Sequence, residues 1–299
     1  KISAHGRGVA EYIDLSDFAV NNDLVYILSR PNKSIPSMRG QLKVLKKTPL
    51  IFAVPTTAGT GSESTRFAVF YYNGEKESLG EEYWIPEYAL LDHTLLYSLP
   101  EYQKKCTLLD ALCQAIESWW SVSSNDESIE YAKIAVEKII NNYKAYIFEN
   151  DPQATEEIML GSNYAGRAIN ITATTSAHAM SYKMTTLYDI PHGHAVGIGL
   201  PHIWEYMINN PQNCSDKRGE EHLLKTFQDI ANSMGCSDAT QAVEMFKALL
   251  NELEIEGPKA TKAELELLAG SVNVGRLKNN PVALSKEVLY DLYFKITRR

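Results

Sequence analysis

Two regimes of hydrophobic patterning divide the chain. In its first third, apolar residues come in short runs at residues 24–28 (LVYIL), 49–55 (PLIFAVP), 67–72 (FAVFYY) and 88–92 (YALLD), set off by turn signals such as RPNKSIPS and TTAGTGSE. Runs of this length, rich in β-branched and aromatic residues, predict short buried strands. The Asn73-Gly74 pair directly after FAVFYY predicts a hairpin. From Pro100 onward the period turns helical: Leu109, Leu112, Ile116 and Trp119 recur at three- and four-residue spacing. Further helices are expected over residues 127–148, 153–172, 176–187, 194–209, 219–234 and 238–253. Asp151-Pro152 marks one helix start, and Ser285 offers an N-cap before KEVLYDLYFKI. The pattern predicts an α/β layer over residues 1–98 and an all-helical domain over residues 99–299, closely apposed, without repeats or a low-complexity linker.

Composition narrows the classes of function. A chain of 299 residues with 44% hydrophobic and 22% charged positions is ordinary for a globular protein with a substantial core. A net charge of −8 argues against a nucleic-acid partner, because counterion release needs clustered cations. The only basic cluster is Lys43, Lys46 and Lys47. No apolar run approaches the roughly 20 residues of a bilayer span, so no membrane partner is expected. Cys106, Cys113, Cys214 and Cys236 form no CxxC pair, which points to inert thiols and a cytoplasmic location.

Three segments carry the chemistry: DALCQAIE, SAHAMSY and IPHGHA. Asp110 sits inside an apolar helix, where an unpartnered carboxylate is costly. Together with His178 and one histidine of the PHGHA turn it offers a carboxylate and two imidazoles, a set suited to a borderline divalent cation with an open position. Spacing alone leaves His192 and His194 equal; Pro191 interrupts any helix and turns the next side chain outward. Gln114 projects from the face of Asp110 one helical turn on, either as a further oxygen donor or as an amide bonded to a neighbour. In the turn TTAGTGSE, Gly59 and Gly61 let the backbone approach a ligand, while Thr and Ser hydroxyls offer donors for phosphate or ribose. That turn follows a buried strand, where ligands of open α/β sheets bind.

Taken together, PTTAGTGSE, the DALxxAIE segment and H-x13-H ending in IPHGHA resemble the iron-containing (group III) alcohol dehydrogenase family, in order and over nearly the whole chain. The resemblance implies a dehydroquinate synthase-like architecture, with a Rossmann-like dinucleotide-binding domain, an all-α domain and a metal between them. It assigns the metal ligands to Asp110, Gln114, His178 and His192, choosing His192 over His194. The common residue at the Gln114 position is histidine. A narrower resemblance, to the phosphonoacetaldehyde reductase branch, rests on DALCQAIESWWSV, RAINITATTSAHAMSY, IPHGHAV, RLKNNPV and EKESL; in that branch Gln at the second ligand position is normal. The family's GGGS-x-x-D-x-AK turn is not found in this chain, so the α/β part is expected to be incomplete.

What the resemblance implies is metal-dependent, NAD(P)H-linked reduction of an aldehyde to a primary alcohol, with phosphonoacetaldehyde giving 2-hydroxyethylphosphonate. Thr56, Thr57, Gly59, Thr60, Gly61 and Ser62 are the implied cofactor contacts, with Lys76 on the adenosine side. Tyr182 stands where much of the family has a second histidine and is the candidate proton donor. The metal is Fe(II) or Zn(II), with Ni(II) or Mn(II) also compatible with the donors. A phosphonate dianion requires cations, for which Arg66, Arg167 and Lys183 are the candidates and Arg276 a fourth. A homo-oligomer, commonly a dimer, is expected. Two other readings remain: a general short-chain alcohol, aldehyde or diol dehydrogenase, and a metal-binding remnant without activity.

Overall fold

A computed structural model describes residues 51–72, 75–80 and 82–297. The predicted strand at residues 24–28, the basic cluster at residues 43–47 and the Asn73-Gly74 turn lie outside them. Strand β1 (Phe52–Ala53) runs parallel to β4 (Tyr88–Ala89), pairing Phe52 with Tyr88 and Ala53 with Ala89. The hairpin strands β2 (Phe67–Tyr72) and β3 (Glu75–Gly80) pair antiparallel, from Phe67 opposite Gly80 to Tyr72 opposite Glu75. The expected burial of the first pair is not met. Phe52 is 46% and Tyr88 58% exposed, and their rings stack on each other at 6.2 Å. Among the described residues no third strand flanks this pair.

The helical region follows the predicted periods closely. Its helices are α1 (Glu101–Trp120), α2 (Asp126–Lys144), α3 (Pro152–Thr172), α4 (Ser176–Tyr188), α5 (His192–Asn209), α6 (Gly219–Ser233), α7 (Ala239–Glu252), α8 (Lys262–Ser271), α9 (Val274–Leu277) and α10 (Lys286–Thr297). Caps explain several starts. Asn125 and Ser128 form a reciprocal capping box at α2, and Asp151 accepts from the Ala154 N–H ahead of Pro152 at α3. Helix α8 has no place among the predicted elements, although Thr261 and Glu264 form a second capping box there. Helix α5 corrects another expectation: it begins at His192, not beyond it. Pro191 is its N-cap, where the missing N–H costs nothing, and so Pro191 starts the helix instead of interrupting it.

Helix α1 is the hub. Every residue from Lys104 to Trp120 is buried, and α2, α3, α5 and α6 pack around it. A helix buried on all sides must place its polar groups against partners, not solvent. Two close approaches set the neighbours. A Cβ on Gly193 would lie 1.9 Å from the Cys106 carbonyl, so glycine alone lets α5 touch α1 at that point. A Cβ on Gly61 would lie 2.5 Å from Gly166 Cα, and Gly61 also has φ +56°. The glycine in TTAGTGSE therefore seats that turn on α3 in addition to any role toward a ligand. Further bonds join them: the Arg66 N–H donates to Asn170 Oδ1 at 2.8 Å, and Asn163 Nδ2 donates to Glu63 Oε1 at 2.8 Å.

The late segment RLKNNPV acts as a strap. Asn279 Nδ2 donates to the carbonyls of Thr172 at 2.7 Å and Thr174 at 3.1 Å, while its Oδ1 accepts from Ser121 at 2.8 Å. Asn280 Oδ1 accepts from Ser176 Oγ at 2.7 Å. These bonds grip the turn between α3 and α4, in which Ala173 is held at φ +57° and ψ 178°. A non-glycine residue there costs about 1–3 kcal/mol and persists only where its surroundings over-determine it.

Two imidazoles of α5, His194 buried and His202 half-buried, are held neutral: the pKa of each is lowered to about 4, mainly by desolvation, with Lys247 adding to the effect at His202. In the unfolded chain both bind protons near pH 6.5. Their contribution to stability is complete above about pH 6.5 and is lost as pH falls through the window down to about 4. Urea midpoints should decline over that window, and H202Q should show a shallower decline than the parent chain. An unchanged slope would contradict a neutral His202 in the folded chain.

Candidate metal centre

Asp110, His178 and His192 come from three helices. Asp110 lies midway along α1, His178 in the first turn of α4, and His192 at the first position of α5. All three are buried, and one ligand atom from each lies within 4.8 Å of the others. His178 Nε2 is 3.3 Å and His192 Nε2 4.0 Å from Asp110 Oδ1. The two imidazoles meet edge to face at 5.3 Å. Each ring has its other nitrogen engaged: His192 Nδ1 lies 3.2 Å from Ser181 Oγ, and His178 Nδ1 bonds the Glu117 carboxylate. The pattern leaves both Nε2 atoms aimed at Asp110.

Glu117, two turns after Asp110 and fully buried, is the residue that sequence reasoning passed over. It accepts from Thr175 Oγ1 at 2.7 Å and from the Ala177 N–H at 2.7 Å, as well as from His178. Its place at the end of DALxxAIE was the available signal. Burial alone would lower the His178 pKa, but the Glu117 and Asp110 carboxylates outweigh it and raise it to about 9. A divalent cation entering the site would displace that proton.

Gln114 decides whether the donors fit a metal. It follows Asp110 by one turn, is 4% exposed, and its Oε1 is buried with no hydrogen-bond partner. Leaving such an acceptor unsatisfied costs about 1–3 kcal/mol, a cost that a cation beside Asp110 would remove. One carboxylate, two imidazoles whose Nε2 atoms face it and an orphaned amide oxygen match a four-donor site. His194 does not compete. Its Nδ1 lies 2.8 Å from the Tyr102 hydroxyl and its Nε2 2.9 Å from the Glu256 carbonyl, so both nitrogens are spent.

Beside the triad, the Tyr182 ring stacks on His192, with centroids 5.7 Å apart and planes within 7°. Burial raises its pKa against the opposing pull of Arg276, so the phenol keeps its proton. Arg276 Nη1 donates to the Tyr182 hydroxyl at 2.7 Å, and its guanidinium lies 4.8 Å from the ring centre. The other candidate cations have different surroundings. Arg167 is exposed, stacked near Tyr131 and Tyr164 and bonded to Asn163 at 3.0 Å; the Arg66 guanidinium lies 5.3 Å from the Phe67 ring; Lys183 is half-buried on α4. A small recess is lined by Gln103, Cys106, Thr107, Pro191 and two of the candidate ligands, Asp110 and His192. Burial pushes the Cys106 thiol there up to about 12, which makes it inert.

The turn after β1 holds the expected cofactor contacts. Thr57, Gly59 and Gly61 are buried, Thr56, Thr60 and Ser62 half-buried, and Thr60 Oγ1 accepts from the Ser62 N–H at 3.2 Å. Gly59 packs on Thr107 of α1, one turn before the Asp110 level, which brings this turn to the helix that carries the site. Lys76 lies on β3 opposite Tyr71.

Residues 105–296, well over half of the chain, match the family model of the Fe-containing alcohol dehydrogenase C-terminal domain. The chain belongs to the iron-containing alcohol dehydrogenase family. A second model of that family matches residues 19–93. Similar proteins include phosphonoacetaldehyde reductase of Streptomyces viridochromogenes, 32% identical over 80% of this chain and 62% of that protein. Another is 4-hydroxybutyrate dehydrogenase of Clostridium kluyveri, 28% identical over 92% and 75% respectively. Among solved structures, sulfoacetaldehyde reductase of Bifidobacterium kashiwanohense in complex with NAD+ superposes with a TM-score of 0.74 at 28% identity, over 85% of this chain and 68% of that one. An iron-containing alcohol dehydrogenase of Thermotoga maritima gives 0.77 at 27% identity, over 92% and 70%. The chain spans 62% of the first of these relatives and 24% of aldehyde-alcohol dehydrogenase 2 of Entamoeba histolytica. No described helix is long and apolar enough to cross a membrane.

In this chain, H192A should lose bound metal by elemental analysis after dialysis against limiting Zn(II), and H194Q should retain it. The reverse pattern would reassign the ligand.

Proposed function

We propose that the protein reduces a short aldehyde to the primary alcohol with NAD(P)H, and that its substrate carries a tetrahedral oxyanion, phosphonoacetaldehyde being the best fit. The observation that carries the anionic substrate is Arg276. Its guanidinium is half-buried beside the Tyr182–His192 stack, and no carboxylate among the described residues pairs with it. A guanidinium left without an acid next to a reaction site is suited to bind a phosphonate through paired N–H donors. Two of the similar proteins bear names that place a phosphonate or sulfonate on the carbon next to an aldehyde, which accords with this reading.

Asp110, Gln114, His178 and His192 would hold the divalent cation, which when bound supplies Lewis-acid polarisation of a carbonyl oxygen. Thr56, Thr57, Gly59, Thr60, Gly61 and Ser62 form the turn that would hold the nicotinamide cofactor, with Lys76 toward its adenosine end. Reduction adds a hydride to the carbonyl carbon and a proton to its oxygen. Tyr182 is the proton donor: its hydroxyl oxygen accepts from Arg276 Nη1, a bond that orients the phenol without using its proton. The raised pKa keeps that proton in place until charge develops on the oxygen. Arg276 thus serves twice, orienting the phenol and holding the substrate's anionic end. Arg66, Arg167 and Lys183 remain further candidates for the same charge. We place the enzyme in the cytoplasm and propose that it works as a homo-oligomer, in keeping with its unpaired cysteines and the family's habit.

The test compares phosphonoacetaldehyde with uncharged aldehydes of similar size on the full-length protein. kcat/KM should favour the phosphonate by at least about 100-fold, the value of two or more charge-assisted hydrogen bonds. R276Q should remove most of that preference. Equal kcat/KM for charged and uncharged aldehydes would instead favour a general aldehyde or diol dehydrogenase. Absence of NADH or NADPH binding in the presence of Zn(II) would favour a non-catalytic remnant. Separately, Y182F should lower kcat by about 100-fold or more, as loss of a general acid does; full turnover in Y182F would exclude the phenol from the reaction.

A further inference from the structure

The geometry points to Glu117 as a positioning residue that selects the tautomer of His178 and thereby sets the affinity of the metal centre. The inference rests on the ligand assignment above, though not on the identity of the substrate. Three observations carry it. Glu117 is entirely shielded from solvent, and its carboxylate receives the His178 Nδ1 side of the ring. A carboxylate only accepts, so Nδ1 must bear hydrogen. In the neutral imidazole Nε2, 3.3 Å from Asp110, is then the nitrogen with a free lone pair.

The carboxylate is itself immobilised. Oε1 accepts from Thr175 Oγ1 at 2.7 Å and the Ala177 N–H at 2.7 Å, with the His178 N–H at 3.4 Å. Thr175 Oγ1 also accepts from Trp120 Nε1 at 2.9 Å, which ties the group back to the end of α1. Thr175 precedes α4 but makes no side-chain cap bond to it, so Glu117 reaches across from α1 to satisfy the first N–H groups. One side chain therefore places the α4 N-terminus, orients the His178 ring and selects its tautomer. Glu117 and Asp110 share α1, which makes the distance between ligand and support a property of a single rigid helix.

A merely structural role and a tautomer-selecting role separate in E117Q. Glutamine has the same shape, and its Oε1 can still accept from Thr175 and the α4 N–H groups. Its NH2 would face Nδ1, favouring the tautomer that carries hydrogen on Nε2 and so blocks the metal position. Zn(II) titration of the whole chain should show E117Q binding 10–100-fold more weakly, the usual effect of losing an outer partner of a ligating histidine. Its thermal midpoint in EDTA should stay within a few degrees of the parent. Unchanged Zn(II) affinity in a folded E117Q would overturn the inference. If E117Q does not fold, the parent protein gives the answer: long-range 1H–15N spectra of the 15N-histidine-labelled, Zn(II)-loaded chain should show His178 with hydrogen on Nδ1 and metal on Nε2. Metal on Nδ1 would equally overturn it. Because the readouts are metal affinity and tautomer, a failed aldehyde assay leaves them intact, and a weakened E117Q does not depend on which aldehyde is reduced.

Discussion

A carboxylate in the middle of a helix with no solvent-facing side is the constraint on which this structure turns. Desolvating Asp110 carries a penalty of several kcal/mol, recovered only if opposite charge and donors surround it. Two imidazoles face it from α4 and α5, and a bound cation would complete the compensation. Each of those helices must then begin at a particular place and angle. Pro191 starts α5 so that His192 is its first residue, and Gly193 allows its backbone to lie against α1. Glu117 and the Asn279–Asn280 strap fix the start of α4 from two sides. The bundle is organised around helix starts because two of them carry the buried imidazoles that face Asp110.

This arrangement explains why so much of the helical half could be read from the chain. Leu109, Leu112, Ile116 and Trp119 are buried as their spacing requires, and Asp151-Pro152 caps α3 as local chemistry dictates. Those signals are local. Helix α8 shows the limit in another way: its capping box was present in TKAE, but its short apolar stripe did not stand out. The strand pair at Phe52 and Tyr88 was legible as β structure while its burial was not, because burial depends on which layer covers it.

The site divides along the same line. Asp110 and His178 could be singled out because charged or titratable groups in apolar helices demand an explanation. Spacing leaves His192 and His194 equal and only the family resemblance favours His192; the third dimension supplies the physical reason, since Tyr102 and Glu256 use up both nitrogens of His194. Arg276 stood last among the candidate cations by its position in the chain. It lies ninety-four residues from Tyr182, and only the packing of α9 beside α4 joins them. Glu117 illustrates a different blind spot. A glutamate seven residues after Asp110 reads as ordinary helix punctuation until the donors around it are known.

The residues at Gln114 and Tyr182 are best understood as one adjustment. As a ligand, an amide in place of an imidazole would contribute a weaker, neutral oxygen donor, so a bound cation would rely more heavily on Asp110 and on correctly presented Nε2 atoms. Each imidazole accordingly has its remaining nitrogen engaged, His178 by Glu117 and His192 by Ser181, and the His192 ring is further covered by Tyr182. Tyr182 in turn is held by Arg276. Weakening one ligand while stiffening the supports of the others keeps the site assembled, and it frees the fourth position to be tuned without rebuilding the helices. On this view the glutamine is tolerated because rigidity elsewhere compensates for it, and substitutions that loosen Ser181 or Glu117 would harm this centre more than one with three imidazoles.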